Sequence, residues 1–267
     1  DSSVEKLEEY FFPSCGRRKV IKREGDPEEP GMDGMQKAFG RAMAAPTGEF
    51  LWQQDADEVV HERDYGKIHD LCKRFPSDCD LIHLPVVELW GDDRHARTDR
   101  HGWKWRLSRN NLRITHGIAS KARVVDPKTG RIYARRGTSD GCEMIDIVSG
   151  DHLPHRGFYT KELEVLRTSR PEEYGRAMNV IYSKLPSVWH YSWADLPRKV
   201  RNFRDFWDKQ WQVLHQSQPE PRFPDVTTDE DVARAAEKLR AQGGEHGPAS
   251  TFELAIDPPV TMKGWMQ

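Results

Sequence analysis

The segment GEFLWQQDADEVVHE, residues 48–62, joins an apolar, aromatic run to a cluster of carboxylates. Asp55 and Asp57 are separated by one residue, so their side chains can share one cation and its water shell. Hard oxygen ligands of this kind suit Mg²⁺ or Mn²⁺, which leave coordination positions open for phosphate oxygens. An acidic turn exposed to solvent has the same spacing, and a single D-x-D motif does not separate the two interpretations.

A basic and aromatic segment, RHARTDRHGWKWRLSRNNLR at residues 94–113, is the second candidate for chemistry. Trp103, Trp105 and Arg106 could contact a donor diphosphate, an anionic acceptor, or single-stranded nucleic acid stacked on the indole rings. The alternation of apolar and basic residues also fits a charged edge strand whose Trp side chains face the core. We favour the edge strand or a role at the edge of a substrate site, and a nucleic-acid acceptor is the less favoured alternative.

Alternating helices and strands must position these groups. The apolar spacing predicts a helix over residues 33–43, a short buried strand over 49–54 and a second helix over 65–75. Residues 80–90 predict the next strand, in which Pro85 indicates a sheet edge or a bulge. This order predicts an α/β sheet. Ligands of open α/β sheets bind beyond the carboxyl ends of strands, where Asp55 and Asp57 fall.

The second half of the chain continues with a strand at 103–114, a hairpin at 124–136, an amphipathic helix at 195–214, a Pro-rich linker at 217–225 and a final helix starting near Thr228. We therefore expect an α/β domain over residues 1–216, followed by the linker and a helical extension over 217–267.

Composition sets limits on location and partners. The net charge of -2 gives no global basic field that would attract nucleic acid or an anionic membrane. The four cysteines show no paired short spacing, which favours reduced thiols in a cytoplasmic protein. No apolar stretch reaches the length of a transmembrane helix, and the polar start predicts no signal peptide.

The order of helix, GEFL turn and strand, and then DADE resembles glycosyltransferase family 2. The segment GMQKAFGRAMAAPTGEFLWQQDADEVVHE follows that family's helix, GE turn, strand and D-x-D motif, and DADEVVHE is similar to the QADEVIHE-like sequences of a bacterial and archaeal subgroup. The likeness covers roughly residues 1–215, and DSSVEKLEEYF resembles the segment after the family's second strand. The resemblance implies a nucleotide-diphospho-sugar transferase fold of the GT-A type, a Rossmann-like sheet flanked by helices. The family's first strand and most of its second would then precede Asp1.

The resemblance also implies metal-dependent transfer of a sugar, with inversion, from a nucleotide-sugar donor to a hydroxyl of a glycan, a lipid-linked sugar or a modified nucleic-acid base. Asp55 and Asp57 would hold Mn²⁺ or Mg²⁺ on the donor diphosphate. A histidine further along the chain would add a ligand. His155 in PHRGFY is similar to the subgroup's HYGFV segment and ranks ahead of His190 in VWHYSW.

The remaining roles follow from the same resemblance. Asp140 in RRGTSDGCEMID matches an acidic loop of the subgroup and is the first candidate for the general base, with Glu143 and Asp146 as rivals. A surface turn is the alternative interpretation of these acids. The residues expected to contact the donor are Asp1, Arg41, Asp55, Trp103 and Arg106. The rival functions are a nucleotidyltransferase of similar fold and a non-catalytic binding protein built on a degenerate transferase domain.

Overall fold

The structure, a computed structural model, describes residues 48–100, 102–110, 159–207, 221–244 and 249–262, together with the backbone of four strands between 123 and 157. Its strands are β1 (Phe50–Trp52), β2 (Glu58–Val60), β3 (Leu81–Glu88), β4 (His95–Arg97), β5 (Trp103–Arg109), β6 (Arg123–Val125), β7 (Ile132–Arg136), β8 (Glu143–Asp146), β9 (His155–Gly157), β10 (Val188–His190) and β11 (Thr251–Glu253). Its helices are α1 (Tyr65–Lys73), α2 (Lys161–Ser169), α3 (Pro171–Lys184), α4 (Leu196–Asn202) and α5 (Asp229–Gln242). Among these residues no helix combines the length and the apolar character needed to cross a membrane.

The main sheet is mixed and has the strand order β1-β5-β3-β10-β2, with β9 also paired to β3. Strand β5 is antiparallel to both β1 and β3, β10 is parallel to β3, and β2 is antiparallel to β10. Two smaller sheets pair β4 with β11 and order β6-β7-β8. The mixed α/β class predicted from the sequence is therefore confirmed at this level.

The main sheet curls, so that strands far apart in its order touch each other. Strands β1 and β2 end the strand order, yet only residues 53–57 connect them. Arg106 on β5 contacts Glu58 on β2, at 2.6 Å, across the two intervening strands. Because neighbouring strands are about 4.8 Å apart, a flat sheet would hold β5 and β2 about 14 Å apart. The contact therefore indicates a concave face, on which both side chains lie.

Apolar clusters cover the sheet and join it to the helices. Trp189 of β10 and Val87 of β3 pack against Tyr174, Met178 and Tyr182 of α3, and the hydroxyl of Tyr182 donates to the carbonyl of Val86 at 3.0 Å. A second cluster connects the loop after β3 to α4 and α5, and its members are Trp90, Trp193, Leu196, Val200, Phe203, Val226, Val232, Ala236 and Leu239. Burial of these side chains fixes the helices on the sheet.

The last described residues are built into the same core. Strand β11 pairs with β4, while Leu254 and Met262 belong to the cluster around Trp189. The backbone N–H of Val260 donates to Glu62 Oε1 at 2.8 Å. Residues beyond 217 therefore supply a strand and core side chains as well as the predicted helix α5. The predicted domain boundary between 216 and 217 stays a prediction.

Several elements agree with the sequence, and two differ. The predicted strands become β1, β3 and β5, and the final helix begins after a capping box at Thr228 and ends at Gly243, whose φ is 70°. Strand β5 is an interior strand between β1 and β3, which corrects the expectation of a charged edge. Pro85 differs from one of its two expected settings, because β3 is an interior strand and not an edge, while a register shift between β3 and β5 at Ile82/His83, close to Pro85, agrees with the expected bulge. The helix predicted over 33–43 lies outside the described residues.

Candidate functional site

Strands β3 and β10 bring their carboxyl ends to one edge of the main sheet, and the turn after β1 reaches this edge. Strands β1 and β3 are both antiparallel to β5 and so run parallel to each other, and β10 is parallel to β3. Asp55 follows β1, Glu88 ends β3 and His190 ends β10. Strand β2 starts at the same edge, because Glu58 pairs with His190. The sheet therefore gathers titratable side chains where open α/β sheets bind ligands.

The acidic cluster occupies a tight connection between β1 and β2. The N–H of Gln53 donates to the carbonyl of Arg106 at 2.9 Å, and the N–H of Glu58 donates to the carbonyl of Asp55 at 3.1 Å. The N–H of Tyr191 donates to the carbonyl of Asp57 at 2.8 Å, which ties the turn to the end of β10. The Asp57 side chain is 37% exposed. It can therefore contact a ligand from solvent as well as its protein neighbours.

His190 bridges two carboxylates at this edge. Its Nδ1 lies 2.7 Å from Glu88 Oε2, and its Nε2 lies 3.3 Å from Asp57 Oδ2. Because an ionised carboxylate only accepts hydrogen bonds, Nδ1 carries a proton that it donates to Glu88. Burial by itself would lower the pKa of His190, but the charge of Glu88 and the hydrogen bonds to both carboxylates raise it to about 9. The imidazole is therefore a cation at neutral pH.

The pKa values of the two carboxylates, Asp57 and Glu88, are lowered. Burial would raise the pKa of Glu88, but the charge of His190 and its hydrogen bond hold that pKa well below its usual range. Burial would likewise raise the pKa of Asp57, and the hydrogen bond and charge of His190 outweigh burial and lower it to about 2. Asp57 and Glu88 are thus ionised around a protonated His190.

Gly102 makes room for the Glu88 side chain. A Cβ atom at this position would lie 2.7 Å from Val86 Cβ and 2.9 Å from Glu88 Cγ. The backbone cannot move away freely, because the N–H of Val86 donates to the Gly102 carbonyl at 2.7 Å. A residue without a side chain therefore permits β5 to approach β3 while Glu88 reaches His190.

Two cations on β5 pair with the other carboxylates. Arg106 donates from Nε to Glu58 Oε2 and from Nη2 to Asp55 Oδ2, both at 2.6 Å. Lys104 Nζ donates to Glu58 Oε1 at 2.9 Å. Burial would raise the pKa of Glu58, but Lys104 and Arg106 lower it. Burial would lower the pKa of Lys104, but Glu88 and Glu58 raise it. These groups stay charged because each has a partner of opposite sign.

The contacts divide the charges into a balanced part and an unbalanced part. Lys104 and Arg106 match the two carboxylates that they contact, Asp55 and Glu58. Two further carboxylates, Asp57 and Glu88, share the single charge of His190. One negative charge is left over among these contacting groups, and Asp57 is the most exposed of the four acids.

Asp57 and His190 fit as two ligands of one divalent cation. Two atoms that each lie about 2.1 Å from an octahedral ion, at a right angle, are about 3.0 Å apart. Asp57 Oδ2 and His190 Nε2 are 3.3 Å apart. A carboxylate on the opposite ring nitrogen, here Glu88, is the arrangement that orients metal-binding histidines.

The protein groups alone would leave such a cation incompletely coordinated. Across the part of the chain that the structure describes, no group of three or more His, Cys, Asp or Glu side chains is arranged to hold a metal ion. Mg²⁺ is usually bound through one or two carboxylates, several waters and the phosphates of a substrate. With Asp57 and His190 as its protein ligands, such a cation would take its remaining ligands from water and from phosphate oxygens.

The structure separates the two candidate histidines. His155 is paired with Leu81 at the start of β3, while His190 is paired with Glu88 at its end. Seven residue steps separate Leu81 from Glu88 along β3, and at about 3.3 Å per residue they span about 23 Å. The two histidines therefore join opposite ends of β3, and His190 lies 3.3 Å from Asp57. The role of His155 as a ligand stays a prediction.

Trp103 and Arg106 are buried, which contradicts the expectation that they contact the donor directly. Trp103 is 4% exposed and meets Tyr159 edge-on, with 5.9 Å between the ring centroids. The side chain of Arg106 is 0% exposed. A direct contact with a nucleotide needs exposed atoms, and neither side chain offers them. Their sequence pattern predicted a role in ligand binding. In the structure Trp103 packs in the core, and Arg106 belongs to an ion-pair network with Asp55 and Glu58.

Other predicted site residues fall elsewhere. Glu143 and Asp146 lie at the two ends of β8, where they pair with Arg136 and Tyr133 of β7 in the three-stranded sheet. Asp1, Arg41 and Asp140 lie outside the described residues. The roles predicted for these five residues stay predictions.

Glu88 is a site residue that the sequence-based expectations miss. It ends the strand LIHLPVVE, in which seven of the eight residues are buried. A carboxylate that closes an apolar strand is costly to bury without a partner, and that cost is the signal that could have identified it. The partner, His190, is on β10, and strand register is needed to bring the two together.

Comparisons with known proteins add no family to these findings. Models of protein families, curated proteins and solved structures give no match to the chain. A functional assignment therefore rests on the chemistry of Asp57, His190 and Glu88 at the sheet edge.

Proposed function

We propose that this protein is a metal-dependent glycosyltransferase that moves a sugar from a nucleotide-diphosphate donor to an acceptor hydroxyl, with inversion. The observation that carries the proposal is the meeting of Asp57 with His190 at 3.3 Å, beyond the carboxyl ends of the sheet strands. The D-x-D motif and a distant histidine were expected to share one cation. Asp57 and His190, the second-ranked histidine, lie close enough to support a shared cation, whereas Asp55 contacts Arg106.

The residues of the site have separate tasks in this proposal. Asp57 and His190 would hold Mn²⁺ or Mg²⁺, and His190 must give up its Nε2 proton to do so. Glu88 accepts the hydrogen bond from the Nδ1–H of His190 and so keeps Nε2 directed toward Asp57. When bound, the cation supplies the positive charge that stabilises a leaving diphosphate. Asp55 is kept beside the site by Arg106 and contributes negative charge, not a direct ligand.

The acceptor side needs a general base. Asp140 is the first candidate and Glu143 and Asp146 are its rivals, because an inverting transfer uses a carboxylate to remove the proton of the attacking hydroxyl. The proposed acceptor is a glycan, a lipid-linked sugar or, less favoured, a modified nucleic-acid base. We place the reaction in the cytoplasm, on the basis of the unpaired spacing of the cysteines.

Thermal unfolding with sugar nucleotides tests the proposal. UDP-, GDP- and TDP-sugars are each added to the protein with Mn²⁺ or with EDTA, at a range of concentrations. A ligand present at 100 times its Kd stabilises the folded state by about 2.7 kcal/mol, which raises the Tm by several degrees in a chain of this size. We expect at least one donor to do so with Mn²⁺ and not with EDTA, and to be hydrolysed under the same conditions.

Variants make the test specific to the site. Asp57→Asn is expected to remove the Mn²⁺-dependent shift and the hydrolysis. Asp70→Asn, at an exposed position on α1, is expected to keep both. If no donor raises the Tm, the transferase proposal fails. A shift without hydrolysis or transfer would indicate a non-catalytic binding protein. Release of pyrophosphate from a nucleoside triphosphate and a sugar phosphate would indicate a nucleotidyltransferase.

A further inference from the structure

Arg106 contacts both of the acidic residues at the ends of the 55–58 turn. Its guanidinium forms a two-point contact with Glu58, Nε to Oε2 at 2.6 Å and Nη2 to Oε1 at 2.5 Å, and also contacts Asp55 Oδ2 at 2.6 Å. The two acids flank Asp57 in the sequence. One buried side chain therefore ties both ends of the turn that carries Asp57.

Other bonds close the same turn around Glu58. Its carboxylate accepts from the N–H of Asp55 at 3.2 Å and from Lys104 Nζ at 2.9 Å. Its carbonyl accepts from Gln54 Nε2 at 2.6 Å. Without Arg106, Lys104 would be the one cation in contact with Glu58 among these groups, and the carboxylates of Asp55 and Glu58 would lie side by side with one positive charge too few.

The connection also spans the curl of the sheet. Arg106 is on β5 and Glu58 is on β2, with β3 and β10 between them in the strand order. The guanidinium thus holds together two strands that do not pair with each other. The pairing of β2 with β10 sets Glu58 beside His190, and Arg106 ties this end of the turn to β5 and to Asp55.

We propose that Arg106 is a positioning residue for the Asp57–His190 site, which holds the 55–58 turn through paired contacts to Asp55 and Glu58 and does not itself contact substrate. The role of the site as a metal and donor site rests on the proposed function. The positioning of the turn by Arg106 does not rest on it. Arginine is required because its planar fork engages two carboxylates at once, whereas lysine is a single point charge.

Arg106→Lys tests this role, with Arg109→Lys as the matched control. Arg109 is on the same strand, but it donates to the carbonyls of Cys79 and Pro76, away from the acidic turn. Amide hydrogen exchange is measured on the full chain in EDTA. We expect exchange at residues 54–60 and at the Tyr191 N–H, which bonds to the Asp57 carbonyl, to accelerate at least tenfold in Arg106→Lys and less than twofold in Arg109→Lys. Unchanged protection of the turn in Arg106→Lys would overturn the proposal.

A second measurement separates positioning from general support of the fold. The Mn²⁺ affinity of the folded variants is measured with nucleoside diphosphate present. Residues that orient metal ligands typically change affinity by about 10- to 100-fold when replaced. We expect a loss of that size in Arg106→Lys and an affinity within twofold of wild type in Arg109→Lys. Equal Mn²⁺ affinity in both variants would overturn the positioning role. If the wild-type chain binds no Mn²⁺, the proposed function fails, and the exchange result still decides the role of Arg106.

Discussion

The ion pair between Glu88 and His190 makes a quantitative prediction. The pKa of His190 is about 9, compared with 6.5 for an ordinary histidine. A shift of one pKa unit corresponds to about 1.4 kcal/mol, so the interaction stabilises the folded state by about 3 kcal/mol when His190 is protonated. The folded-state pKa is the higher one. The stabilisation is therefore fully present below pH 6.5 and is lost as the pH rises through about 9.

Glu88→Gln removes the charge that sustains this shift and preserves the shape of the side chain. Nuclear magnetic resonance of ¹³C-labelled histidine follows each imidazole through a titration in EDTA, and the resonance that disappears in His190→Gln identifies His190. We expect a midpoint of about 9 in the wild type and a midpoint lowered by at least one unit in Glu88→Gln. Glu237→Gln, at an exposed position on α5, should leave the wild-type midpoint unchanged.

Urea unfolding at each pH of the titration measures how the free energy of unfolding changes as His190 loses its proton. Between pH 6.5 and pH 9 the free energy of unfolding of the wild type should fall by at least about 1 kcal/mol more than that of Glu88→Gln, because the His190 midpoint of the variant is lower by at least one unit. Parallel profiles for the two proteins, or a wild-type His190 midpoint near 6.5, would refute the ion-pair interpretation.

Three further substitutions test strand packing, helix propensity and helix capping, each by urea unfolding. Gly102→Ala should lower the free energy of unfolding by about 1–3 kcal/mol, because its Cβ would collide with Val86 and Glu88; stability equal to wild type would show that β5 can move away from β3. Gly66→Ala, in α1 with nothing within 4 Å of the added Cβ, should instead raise it by about 0.5–1 kcal/mol through higher helix propensity. Thr228→Ala should cost about 1 kcal/mol, because it removes the side chain that accepts from the N–H of Asp231 in the capping box of α5.

Local patterns in the sequence are sufficient to predict some elements. The apolar run before the acidic cluster predicts β1, and the run at 80–90 predicts β3. Thr228 and Gly243 mark the two ends of α5. Strand β2, by contrast, has three residues, which is too short for any periodicity to show. No helix is predicted over 161–184, where the structure has α2 and α3 separated by the single residue Arg170.

The candidate site is only partly predictable for a physical reason. The D-x-D spacing identifies Asp57 because both acids lie in one short segment. The choice between His155 and His190, however, depends on which end of β3 each histidine meets, and strand register is a long-range property. The burial of Arg106 likewise depends on long-range structure that the local sequence does not reveal. Its alternating neighbours predict an exposed edge, whereas the curl of the sheet buries it between Asp55 and Glu58.

The binding of Mn²⁺ in the presence of nucleoside diphosphate tests whether Asp57 and His190 form a metal site. Electron paramagnetic resonance measures free Mn²⁺ during titrations of wild type, Asp57→Asn, His190→Gln and the exposed control Asp70→Asn. We expect wild type and Asp70→Asn to bind Mn²⁺ with equal affinity, and both site variants to bind at least tenfold more weakly, as the loss of a ligand requires. Wild-type affinity in Asp57→Asn would contradict the assignment of this site to a metal-bound diphosphate.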